Sequence, residues 1–134
     1  MNRLIIDGFD FGIDLPRSHV KPSSDGVDIV IVGDDSVIQR LIDDDDGPWS
    51  WLNSAPMLYL RDFMFSSCRD SEFAHNLTDD DRDNYDIALY VMEHCDILPC
   101  TISLAAGVFS ANGQVHGIQK SPVPFEISMA LPSA

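Results

Sequence analysis

Four consecutive aspartates, Asp43, Asp44, Asp45 and Asp46, form the densest set of chemically active side chains in this sequence. Clustered carboxylates can coordinate a hard divalent cation or attract a basic surface. Local stability does not account for them. Apolar spacing at Val37, Ile38, Leu41 and Ile42 predicts a helix over residues 36–42, so the run follows a helix C-terminus. The macrodipole is negative there, and Lys or Arg would be favoured. Asp34 and Asp35 stand at the other end of that helix, about 10 Å away. Trp49 and Trp51 follow Pro48 directly. Trp is over-represented among binding hot spots, so acid beside aromatic reads as a surface that steers a basic partner and then buries against it. The candidate partner-binding residues are therefore Asp34, Asp35, Asp43, Asp44, Asp45, Asp46, Trp49 and Trp51. The competing explanation for the two tryptophans is core packing, and for the aspartates a solvated loop.

The other reactive groupings fail on spacing. Thr78 with Asp79, Asp80 and Asp81 looks like a helix start, with Thr78 as cap and Asp81 at the capping-box position, so structure explains that run. Asp79, Asp81 and Asp83 match the first three ligand positions of a calcium loop, but Asn84 stands where Gly is needed and Tyr90 where Glu is needed. Asp7 and Asp10 follow the first strand with two residues between them, whereas an aspartyl nucleophile and its neighbour need one. Cys68, His94, Cys95 and Cys100 are the right types for zinc, but no C-x₂-C pair exists. His94 and Cys95 would also diverge by about 100° on a helix. A phosphate cradle after residues 27–32 would need several glycines, and Gly33 is followed by two acids that repel an anion. The sequence therefore designates no catalytic residue, no metal-ligand set and no cofactor.

The elements that must position these groups are read from pattern. Residues 4–6 and 27–32 are β-branched runs and predict strands, with a short hairpin partner within 9–15 and a loop over 16–25. Leu60, Phe63 and Met64 share one helical face, which predicts a short helix from Pro56 onward. Tyr85, Ala88, Leu89, Met92 and Cys95 recur at helical spacing and predict a helix over residues 78–96, closed by Pro99. Beyond it, residues 101–109 and 114–119 flank Asn112-Gly113, a two-residue hairpin signal. Phe125, Ile127, Met129 and Leu131 alternate with smaller or polar residues, as a strand with one buried face does. The expectation is a single α+β domain over residues 1–134, a largely antiparallel sheet with two or three helices packed on one face.

Charge bounds the function. The chain holds 22 acids, of which 19 are Asp, against 8 Lys and Arg, for a net charge of −14. Residues 97–134 carry only Glu126 and Lys120 and are near-neutral, so residues 1–96 hold the whole excess. Such a surface disfavours direct binding of nucleic acid or an anionic membrane. No stretch approaches the roughly 18–20 apolar residues of a membrane span. Asp7 interrupts the apolar stretch a signal peptide would need, and three cysteines form no disulfide framework, so the expected compartment is the cytoplasm.

The composition thus predicts a non-enzymatic acidic protein–protein interaction module. Its most concrete form is a stoichiometric inhibitor, a nucleic-acid mimic on the basic, nucleic-acid-binding surface of its target. Phage or plasmid counter-defence proteins and immunity proteins act in this way. Two alternatives come from other classes: a structural or assembly subunit self-associating through the C-terminal strands, and a carboxylate-rich divalent-metal enzyme.

Overall fold

The computed structural model describes residues 2–23, 26–43, 49, 52, 54–63, 72–78 and 86–131. Strands dominate them. In chain order they are β1 (Arg3–Ile6), β2 (Phe9–Asp10), β3 (His19–Ser23), β4 (Gly26–Val32), β5 (Met57–Phe63), β6 (Phe73–Leu77), β7 (Asp86–Tyr90), β8 (His94–Cys95), β9 (Cys100–Ala105), β10 (Val108–Val115) and β11 (Val123–Ala130). The α-helix described among them is α1 (Asp35–Asp43), and Leu15–Arg17 make a 3-10 turn. The strands form two antiparallel sheets. One has six strands in the order β2-β1-β11-β10-β9-β6, the other five in the order β3-β4-β5-β7-β8.

The expected α+β architecture is therefore wrong: the protein is mostly β, and two predicted helices are strands. The segment after Pro56 is β5. Much of the span assigned to a helix over 78–96 is the β7–β8 hairpin, which turns at Met92 with φ +65°. Residues 79–85, which carry the capping run and the calcium-like spacing, lie outside the described residues. The physical reason for the error is burial on both faces. In β5, Leu58, Tyr59 and Leu60 are all buried, and so are Ala88 and Leu89 in β7. A strand covered on both sides shows an apolar run without alternation, and that run has no period to separate it from a helix.

Strands with one open face read correctly. In β11, Val123, Phe125, Ile127 and Met129 are buried while Pro124, Glu126 and Ala130 are exposed. Inward residues of both sheets, among them Leu4, Ile6, Phe109 and Ile127 from one and Ile29, Ile31, Leu58 and Leu89 from the other, join one apolar core. The two sheets are thus layers over a shared interior.

Turn chemistry corrects a second expectation. Asn112 and Gly113 are not a turn; they lie inside β10, paired with Thr101 and Cys100 of β9 on one side and with Glu126 and Phe125 of β11 on the other. The β9–β10 hairpin turns at Ala106-Gly107, with φ +51° and +77°. Both central residues are left-handed, which matches the right-handed twist of the flanking strands. Gly113 serves packing instead. A methyl group added there would sit 2.8 Å from the Cys100 Cβ and 3.2 Å from the Phe125 ring.

The sheet edges are also informative. Residues 19–23, expected to be loop, form edge strand β3, which pairs with β4 and carries Lys21 and Pro22. Both residue types blunt an edge against further pairing. Strand β11 lies between β1 and β10, and β10 between β9 and β11. Both β10 and β11 are therefore interior strands of the six-stranded sheet.

Candidate functional site

Helix α1 carries most of the described candidate residues. It begins where β4 ends, because Asp34 caps it. The Asp34 Oδ1 accepts hydrogen bonds from the Ser36 amide at 2.9 Å and the Ser36 hydroxyl at 2.8 Å. Those two bonds hold the Asp34 carboxyl below the ordinary carboxylate range. Asp35 occupies the first turn, where the macrodipole favours an acid. Its Oδ2 lies 2.9 Å from an Arg17 Nη, and the Arg17 Nε donates to Asp14 Oδ2 at 2.6 Å. This bridge between Asp14 and Asp35 raises the Arg17 guanidinium above its already high value. Asp34 and Asp35 are therefore spent on starting the helix and tying it to the 3-10 turn.

The far end of the helix is different. Ile38 is buried and Val37 and Leu41 pack against the core, while Ile42 and Asp43 face out. Asp43 accepts one long hydrogen bond, 3.3 Å, from the Gln39 amide. It sits at the negative end of the dipole, with Arg40 as the base in the last turn. Asp44, Asp45 and Asp46 lie outside the described residues, as does Trp51. Trp49 is 5% exposed and meets Phe11 edge-on, with ring centroids 5.1 Å apart at 80°. It is a core residue and offers little contact area to a partner. The structure thus places Asp34, Asp35 and Asp43 on one helix, at opposite ends about 12 Å apart. It draws them into no common cluster.

The described acids share a habit that composition did not announce. Asp10 Oδ1 accepts from the Gly12 amide at 2.8 Å, and Asp96 Oδ1 accepts from the Leu98 amide at 3.1 Å. With Asp34 and Ser36, these make three carboxylates that each bind the amide two residues on. Only a side chain of Asp length closes that ring well, and Glu is one carbon too long. Part of the preference for Asp over Glu is therefore turn chemistry. The Asp10-Phe11-Gly12 and Asp34-Asp35-Ser36 spacings are the sequence signal for it.

One further cluster escaped the sequence reading. The Tyr59 hydroxyl and His94 Nδ1 are 2.5 Å apart, and the rings of Tyr59 and Tyr90 meet the imidazole edge-on at 5.6 and 5.5 Å. The arrangement fixes one ring nitrogen of an exposed histidine on edge strand β8. Thirty-five residues separate Tyr59 from His94, so no local pattern could have paired them. On the same sheet His19 Nε2 lies 2.8 Å from Asp28 Oδ2. Cys95 and Cys100 are buried, and Cys68 is outside the described residues. Burial, with Glu93 adding to it, pushes the Cys95 thiol up, away from the thiolate form a nucleophile or zinc ligand needs.

Among the described residues, no three His, Cys, Asp or Glu side chains are grouped so as to hold a metal ion. No helix among them is long and apolar enough to cross a membrane. Shallow grooves of about 200 Å³ mark the outward face of β6, β9 and β10 and the β7–β8 turn beside Gly117 and Ile118. Comparison of the chain with protein-family models, with curated proteins and with solved structures finds no match.

Proposed function

We propose that this protein is a non-enzymatic interaction module whose excess of acid engages a basic surface on another macromolecule. Its most concrete form is a stoichiometric inhibitor that occupies the nucleic-acid-binding face of its target, with carboxylates standing where phosphates would. The observation that carries the reading is the uncompensated charge. The chain has 22 acids and 8 Lys and Arg, and the bases seen in ion pairs among the described residues are Arg17 and His19. Turn formation uses Asp10, Asp34 and Asp96, and Arg17 takes up Asp14 and Asp35. Neither role extends to exposed Asp43, where the acidic run begins. A like-charged run after a helix C-terminus costs local stability, and attraction of a cationic partner is the use that offsets it. Burial of Trp49 removes one aromatic from the proposed contact, so electrostatics carries more of it than anchoring does.

The test compares the wild type with a variant in which Asp43, Asp44, Asp45 and Asp46 are all Asn. Each is immobilised and exposed to cell lysate at about 50 mM and 500 mM salt, spanning strong and weak screening. The reading expects a basic protein retained by the wild type at low salt, released at high salt, and lost by the variant at a melting temperature no lower than the wild type's. Recovered partner should lose affinity for nucleic acid when the wild type is added. Equal retention by both forms, or retention indifferent to salt, would overturn it.

A further inference from the structure

We draw no further inference here: the strongest candidate, the shallow groove across the outward face of β6, β9 and β10, is lined by residues such as Ala74, His75, Ser103 and Ser110, and nothing in the structure shows what covers it.

Discussion

Gly113→Ala tests whether Asn112-Gly113 is strand interior or turn. In the fold described here the added methyl group would lie 2.8 Å from the Cys100 Cβ and 3.2 Å from the Cys100 Cα. Carbon atoms prefer about 3.5–4.0 Å, so the closest contact falls roughly 0.7 Å short. Neither atom can swing away, because both are anchored to a strand held in register by β6 and β10. Phe125 closes the other side at 3.2 Å. Overpacking of this kind costs about 1–3 kcal/mol, and the rigid site argues for the upper half. Replacing Gly by Ala returns about 0.4–1 kcal/mol through the unfolded chain, leaving a net loss of about 1–2 kcal/mol.

Asn112→Thr supplies the control. Asn112 is exposed and faces Thr101 across the ladder, a position where Thr is a good strand former and a good cross-strand partner. Its effect should stay within about 0.5 kcal/mol. If residues 112–113 were a hairpin turn, a β-branched residue at positive φ would cost about 1–2 kcal/mol instead. Urea unfolding separates the cases. With a slope of about 2 kcal/mol/M, Gly113→Ala should lower the midpoint by roughly 0.5–1 M while Asn112→Thr leaves it nearly in place. Equal losses in the two variants would refute the register.

Three more outcomes are expected. Asp34→Ala should lower the melting temperature at neutral pH, whereas Asp34→Asn, which keeps an acceptor for the Ser36 amide, should recover most of it. The carboxyl is held below its ordinary 3.8, so its stabilisation is present above that value and lost as pH falls through the lower folded value. The gap between wild type and Asp34→Ala should therefore narrow below about pH 4 in a series of melts, down to what a neutral acceptor supplies; a constant gap would remove the carboxylate charge from the cap. Trp49→Ala should cost about 3–5 kcal/mol in denaturant unfolding, because Trp49 and Phe11 are both buried; an unchanged midpoint would return Trp49 to the surface. Alkylation mapped by mass spectrometry should leave Cys95 and Cys100 slow at neutral pH and fast once the chain is unfolded. Rapid native labelling of Cys95 would contradict its burial.

What the sequence disclosed depended on how each segment meets water. β4 and β11 were legible because β-branched content or strict alternation marked them. α1 was legible because Val37, Ile38, Leu41 and Ile42 recur at helical spacing. β5 and β7 were not, because Tyr59 and Ala88 are as well buried as their neighbours and erase the period of two. The β9–β10 turn was misplaced because Gly has two uses, positive φ at Gly107 and close approach at Gly113, and only neighbouring strands tell them apart. At the candidate site, the composition displayed the acid but hid its division of labour. Asp35 as ion-pair partner emerges only when Arg17 and Asp14 are brought to the helix start.

The pairing of β1 with β11 sets a timetable for synthesis. Ile6 lies opposite Phe125, so the two residues leave the ribosome about 120 positions apart. At roughly 5–20 residues per second, the first strand waits on the order of ten seconds for its neighbour. During that interval Leu4 and Ile6, fully buried in the finished protein, have only the two-residue strand β2 beside them, and such long-range pairing is intrinsically slow even afterwards. The negative charge, however, is complete by residue 96, before β9, β10 and β11 exist. A half-made chain therefore already carries the like charge that disfavours association with other copies while β1 waits for its neighbour.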